Sequence, residues 1–155
     1  HDDVGHGRVA SKGSKGETDP VTYLRPYWPT AERRALSGNK DKGDIAGIPG
    51  TVGEVKAAVK VELAKWQQET LTEMENAKAL HCFLVIKVPY KNVSKWDFWL
   101  PAYQLGLEDM RFSDLKEARW MRMDFELGRD VLRAVISAVH ACSPSPQCSR
   151  ITASS

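Results

Sequence analysis

Apolar side chains recur at two different spacings along the chain, and the change from one to the other predicts where strands and helices lie. From Val61 to Ala77 they fall three to five positions apart among charged and polar residues, which is typical of an amphipathic helix. Residues 81–88, HCFLVIKV, form an apolar run of strand length and predict a strand buried on both faces. Residues 95–100 alternate aromatic and polar side chains and predict a further strand. Residues 124–143 predict a second long helix.

Shorter elements are predicted nearer the amino terminus. Residues 17–25 favour a short helix, and residues 31–37 favour a strand. The β-prone runs 44–48 and 51–55 are joined by a Pro-Gly pair, which predicts a hairpin. Together these elements predict an α/β fold in which helices flank a small mixed β-sheet.

The chain is predicted to form one domain between two polar ends, because its 155 residues suffice for a single core. Residues 102–123 have no clear period and lean towards helix only after Ser113. The predicted divisions are a flexible basic arm (1–16), a single domain (17–143) with a core (17–101) and a C-terminal helical extension (102–143), and a disordered tail (144–155).

Composition narrows the class of protein only slightly. The 22 basic and 20 acidic residues leave a formal net charge of +2, so the total charge indicates no partner. The three cysteines fit neither a zinc site nor a disulfide framework. No apolar run reaches the ~18 residues of a membrane span, and no signal-peptide pattern is present. A reducing, cytoplasmic setting is therefore expected.

The candidate chemistry lies in residues 39–56, NKDKGDIAGIPGTVGEVK. Asp44 and Glu54 belong to adjacent predicted strands, and alternation along the second strand places Glu54 and Lys56 on one face. Two converging carboxylates provide the oxygen ligands that suit Mg²⁺ or Mn²⁺, and a lysine beside the ion could orient an attacking water. Because a Glu-x-Lys pattern on a strand is common without any catalytic role, the spacing alone leaves a structural role open. The basic residues around this segment, which would suit a polyanion, are Arg33, Arg34, Lys40 and Lys42.

Residues 11–90 resemble the PD-(D/E)xK nucleases, and within them the archaeal-type Holliday junction resolvases and their phage-encoded relatives. SKGSKGE resembles the family's opening K-G-[ST]-x-x-E, and its glutamate corresponds to Glu17. GEVK supplies Glu54 and Lys56. The similarity is greatest to the phage branch, through AERRALSGNKDKGDIAGIPG. In that segment the residues that correspond to the family's motif are Arg34, Ser37 and Asp44, with Gly43 standing where the nominal signature has Pro.

This resemblance implies a restriction-endonuclease-like core and metal-dependent hydrolysis of DNA that leaves 5′-phosphate and 3′-hydroxyl ends. The implied catalytic residues are Glu17, Asp44, Glu54 and Lys56. The implied ligands of Mg²⁺, for which Mn²⁺ could substitute, are Asp44, Glu54, the Val55 carbonyl and Glu17. The implied DNA-binding residues are Lys12, Lys15, Arg33, Arg34, Ser37, Lys40, Lys42 and Lys60.

The expected function is that of a Holliday junction resolvase in a bacterial or phage-infected cell. Its partner would be a four-way DNA junction, and it would act as a homodimer without a membrane or a small-molecule cofactor. One alternative keeps the nuclease but changes the substrate to duplex, nicked or flapped DNA. Another, of a different class, is a non-catalytic DNA-binding or structural phage protein.

Overall fold

The computed structural model describes residues 19–34, 44–107 and 118–142, with side chains to residue 139. The predicted arm and tail lie outside the described residues. The helices are α1 (Pro20–Leu24), α2 (Leu63–Asn76) and α3 (Phe125–Cys142). The strands are β1 (Glu32–Arg33), β2 (Ile45–Ala46), β3 (Thr51–Lys56), β4 (His81–Ile86), β5 (Asp97–Pro101) and β6 (Trp120–Asp124). Two 3₁₀ turns, Val93–Lys95 and Ala102–Leu105, flank β5.

The six strands form one mixed sheet in chain order. All neighbouring strands are antiparallel except β3 and β4, which run parallel from the pair Thr51–His81 to the pair Lys56–Ile86. A parallel pair needs a crossover, and α2 provides it. As a result, the carboxyl ends of β3 and β4 lie at the same edge of the sheet.

Helices cover both faces of this sheet. Phe83 and Val85 of β4 belong to a core cluster that includes residues of α1 and α3. Cys82, Leu84 and Ile86 alternate with them and pack in clusters with residues of α2. The α/β class predicted from the sequence is therefore confirmed, with the sheet as the middle of three layers.

Most of the predicted elements are confirmed. The period over residues 61–77 corresponds to α2, residues 124–143 correspond to α3, and the run at 81–88 contains β4, of which every residue is buried. The predicted hairpin is the antiparallel pair of β2 and β3. In the helix predicted at 17–25, the described part begins where the Asp19 carboxylate accepts a hydrogen bond of 2.8 Å from the Val21 N–H.

The prediction of a helical extension over residues 102–143 is wrong for Trp120–Asp124. These residues form β6, which pairs with β5 over its whole length. Their burial does not alternate, because two neighbouring residues in the middle of the strand are both exposed. Pairing with β5 therefore determines this strand, and the pattern of exposed and buried residues along it does not indicate a strand. Residues 108–117 lie outside the described part of the chain.

The ring of Phe83 packs over Gly53, in the space that a side chain at this position would occupy. A Cβ atom at this position would lie 2.3 Å from Cζ of Phe83, the residue that faces it across the parallel pair. Replacing Gly53 with alanine should therefore lower the free energy of unfolding by about 1–3 kcal/mol, as overpacking does in well-filled cores. Urea denaturation measures this change.

The second substitution Phe83→Leu provides the control for this prediction. Because it removes the ring that alanine would strike, Gly53→Ala should cost less in the Phe83→Leu background than in the wild type. An equal cost in both backgrounds would show that the ring does not limit the packing.

Candidate active site

The hairpin brings Asp44 next to β3. Its N–H donates to the Gly53 carbonyl at 2.9 Å, and its Oδ2 accepts a hydrogen bond of 3.1 Å from the Val55 N–H. The N–H and C=O of one residue in an antiparallel ladder point to the same side of the strand, so the Val55 carbonyl also lies on the side of Asp44. Glu54 and Lys56 project from the face of β3 that α2 covers, because Val52 of that face packs with α2.

Glu54 is a carboxylate in the interior, only 3% exposed. Its Oε1 lies 3.3 Å from the Lys56 amine, whereas its Oε2 is buried and accepts no hydrogen bond from the described residues. Burial raises the pKa of Glu54 to about 7; a hydrogen bond with Glu73 opposes this rise, the neighbouring Asp44 carboxyl adds to it, and the Lys56 charge opposes it. The Asp44 and Glu73 carboxyls thus both interact with Glu54, and charging all three groups at once is unfavourable unless a proton or a cation lies nearby.

Lys56 stands between two carboxylates from different elements. Its amine is 3.3 Å from Glu54 Oε1 and 3.1 Å from Oε2 of Glu69 on α2. Partial burial acts to lower the pKa of Lys56, but the hydrogen bond to Glu69 and the charges of Glu69 and Glu54 raise it above its ordinary value. Lys56 therefore carries its charge at neutral pH, and it is suited to neutralise charge or to orient a polar molecule rather than to act as a base.

Sequence reasoning missed the contribution of α2. Glu69 and Glu73 lie four residues apart on one face of the helix and line an open groove of about 470 Å³. The other described residues along this groove are Lys65, Gln68, Thr72 and Asn76. Glu73 is 3% exposed and stands seven positions after the buried Trp66, on the apolar stripe of the helix. A charged residue within that stripe is the signal that could have found it.

The donor set at this site suits a hard divalent cation. Asp44 and Glu54 offer carboxylate oxygens, and the Val55 carbonyl lies beside them. Within the ranges that the structure describes, no three His, Cys, Asp or Glu side chains are placed so as to hold a metal ion. Glu17, the additional ligand implied by the resemblance, lies outside those ranges. The buried, unpartnered Oε2 of Glu54 fits a cation ligand, since such an atom is otherwise costly to bury.

Three of the predicted DNA-binding residues lie in the described part of the chain. Arg34 donates its backbone N–H to the Asp44 carbonyl at 2.8 Å, and its Nε is buried without a hydrogen-bond partner there. Arg33 is exposed and 3.4 Å from the Asp19 carboxylate, and Lys60 is exposed on the segment that follows β3. The predicted DNA-binding residues outside the described ranges are Lys12, Lys15, Ser37, Lys40 and Lys42.

No protein-family model matches the chain, and no curated protein or solved structure matches it. Of the helices in the described residues, none has the length and apolar character needed to cross a membrane. The chemistry of the site must therefore be inferred from the geometry of its own residues.

Proposed function

We propose that the protein is a metal-dependent DNA endonuclease of the PD-(D/E)xK type with a restriction-endonuclease-like core. The observation that carries the proposal is that Asp44 and Lys56 both lie next to Glu54, whose other carboxyl oxygen, Oε2, is buried and accepts no hydrogen bond from the described residues. The order of the elements supports it: a helix, three antiparallel strands, a crossover helix and a strand parallel to the third. This order agrees with the positions that the resemblance implies for α2 and β4.

The charges of the site support a requirement for a cation. In the described structure the Lys56 ammonium lies within 3.3 Å of the Glu54 and Glu69 carboxyl oxygens, and the Asp44 and Glu73 carboxyls interact with Glu54. A DNA phosphate brought up to these carboxylates would be repelled, so without a cation DNA would be held only by the basic residues around the site. A divalent ion held by Asp44, Glu54 and the Val55 carbonyl, with Glu17 completing the set, would reverse that repulsion.

The residues of the site would have separate roles in hydrolysis. When bound, Mg²⁺ would polarise the phosphoryl group and lower the pKa of a water molecule. Lys56 would orient the attacking water and neutralise charge on a phosphoryl oxygen, while Glu54 and Glu69 hold its ammonium in place. Arg34, next to Asp44, would contact the phosphate beside the scissile bond. The products would carry 5′-phosphate and 3′-hydroxyl ends.

The proposed substrate is branched DNA, above all a four-way junction cut by a homodimer. Arg33, Arg34 and Lys60 are cationic groups near the site that would contact phosphates without reading bases. Two identical sites in a symmetric dimer would cut opposing strands of the junction.

Cleavage of a synthetic four-way junction, compared with a linear duplex of the same sequence, tests this proposal. In Mg²⁺ we expect paired incisions in the junction and little cleavage of the duplex, and we expect EDTA to abolish both. Equal cleavage of the two substrates would support nuclease activity but contradict a preference for junctions. Absence of metal-dependent cleavage of either substrate would contradict the proposed function.

A further inference from the structure

A strained tyrosine lies at the turn that follows β4. The Lys91 N–H donates to the Val88 carbonyl at 3.2 Å, which closes a four-residue turn with Pro89 in its second position. Tyr90, in the third position, has a φ of 66°. Proline followed by a positive φ is the arrangement of a type II turn, in which the third position favours glycine. A bulky residue in this conformation is strained, and such strain tends to persist at functional sites.

Burial does not compensate for this strain, because Tyr90 is 108% exposed. Val59, on the segment that follows β3, is also fully exposed to solvent, at 109%. The two segments leave the same edge of the sheet, since β3 and β4 are parallel and adjacent. An aromatic ring and an aliphatic side chain therefore face solvent beside the proposed active site.

A backbone hydrogen bond connects Lys87, the residue before the turn, to the site. The Lys87 N–H donates to the Lys56 carbonyl at 2.9 Å. Tyr90 is three residues further along, so its Cα lies within on the order of 10 Å of the Lys87 Cα. That span corresponds to a few nucleotides, which places the ring within reach of DNA whose phosphate lies at Lys56.

The surroundings of the ring suit nucleic acid. Lys91 follows it and is exposed, and Lys60 is exposed at the same edge of the sheet. The Lys87 amine lies 5.8 Å from the centre of the Trp96 ring. Lysines contact phosphates, and exposed aromatic rings stack on bases. Within an intact duplex every base is already stacked on its neighbours, whereas a branch point whose arms are not stacked on each other leaves bases with a free face.

We propose that Tyr90 stacks on a nucleobase left unstacked at the branch point of DNA, while Lys91 and Lys60 contact the flanking phosphates. This inference rests on the proposed function, and it names the feature of the substrate that the site selects. Tyr90 would set specificity by contact with DNA and would take no part in the chemical step.

The substitution Tyr90→Gly separates this role from a structural one. Glycine relieves the strain of the positive φ but adds freedom to the unfolded chain, and because the first effect is larger the variant should melt about 2 °C higher than the wild type. Its affinity for a four-way junction in EDTA, relative to duplex, should nevertheless fall about tenfold, because one stacking contact is lost. Tyr90→Trp should preserve the preference. Fluorescence anisotropy measures the affinities, and 2-aminopurine at the branch point reports stacking through its emission.

Lys78→Gly is the matched control. Lys78 also has a positive φ, 54°, but it follows α2 at the opposite edge of the sheet, next to the start of β4. Its replacement by glycine should raise the melting temperature in the same way and leave the preference for junctions unchanged. A loss of preference in both glycine variants would attribute the effect to altered stability and overturn the proposal.

The outcomes distinguish this inference from the function on which it rests. If the wild type cuts junctions in Mg²⁺ and Tyr90→Gly keeps the wild-type preference and emission change, the stacking role is wrong and the nuclease stands. If junction binding depends on Tyr90 but no cleavage occurs, the stacking contact stands and the nuclease is wrong. If the wild type does not prefer junctions at all, the stacking proposal is overturned.

Discussion

Replacement of Lys56 by alanine is expected to lower the rate of junction cleavage by about 10³-fold while affinity for the junction stays within about threefold. The reason is that Lys56 holds its charge at the point where two carboxylates converge, and loss of one preorganised charge or donor in an active site typically costs 10²–10³-fold. Single-turnover cleavage in Mg²⁺ measures the rate, and binding in EDTA measures the affinity.

Lys65→Ala provides the matched control for this substitution. Lys65 lines the same groove but is exposed and lies 3.8 Å from Glu62 instead of at the carboxylate cluster. Its removal should leave cleavage near the wild-type rate. Cleavage by Lys56→Ala at the wild-type rate would contradict the proposed mechanism. Loss of cleavage only because the variant fails to fold, shown by its circular dichroism, would assign Lys56 a structural role.

Replacement of Glu54 by glutamine is expected to stabilise the metal-free protein at pH 8 and to abolish cleavage. In the folded state the pKa of Glu54 is raised to about 7 from its ordinary value of 4.5. Between these values the folded state binds more protons than the unfolded state, so the free energy of unfolding of the wild type should fall as the pH rises through this window. Glutamine does not titrate. The variant should therefore match the wild type near pH 4.5 and exceed it by about 3 kcal/mol at pH 8.

Urea denaturation in EDTA at the two pH values measures this difference. Glu69→Gln is the control, because Glu69 is the other partner of Lys56 but is more exposed, and its removal should change stability by less than about 1 kcal/mol. A Glu54→Gln variant that is less stable than the wild type at pH 8 would show that the ion pair with Lys56 stabilises the fold. That result would favour a structural cluster over a cation site.

The sequence predicts the centre of this site because local rules determine it. The Pro-Gly pair sets the hairpin, and alternation along β3 sets which residues share a face, so Asp44, Glu54 and Lys56 could be expected to converge. The helical period from Val61 to Ala77 likewise predicts the helix that covers them.

The parts that sequence reasoning missed depend on tertiary contacts. Glu69 and Glu73 meet β3 because α2 crosses over to the parallel strand. The position of Glu73 on the apolar stripe indicates that it is buried, but no spacing in the chain indicates which strand it contacts. Two adjacent residues of β6, Met121 and Arg122, are both exposed, so only its pairing with β5 identifies it as a strand. The sequence does not predict the positive φ of Tyr90 either, because it shows the proline of such a turn but lacks the glycine that usually follows.

Binding of Mn²⁺ followed by electron paramagnetic resonance tests the central claim most directly, since it detects the cation without requiring DNA or cleavage. We expect saturable binding by the wild type at pH 8 and at least tenfold weaker binding by Asp44→Asn and Glu54→Gln. Glu75→Gln, which removes an exposed carboxylate of α2 outside the cluster, should bind like the wild type. Equal binding by all four proteins, or no saturable binding by the wild type, would contradict a cation site at Asp44 and Glu54.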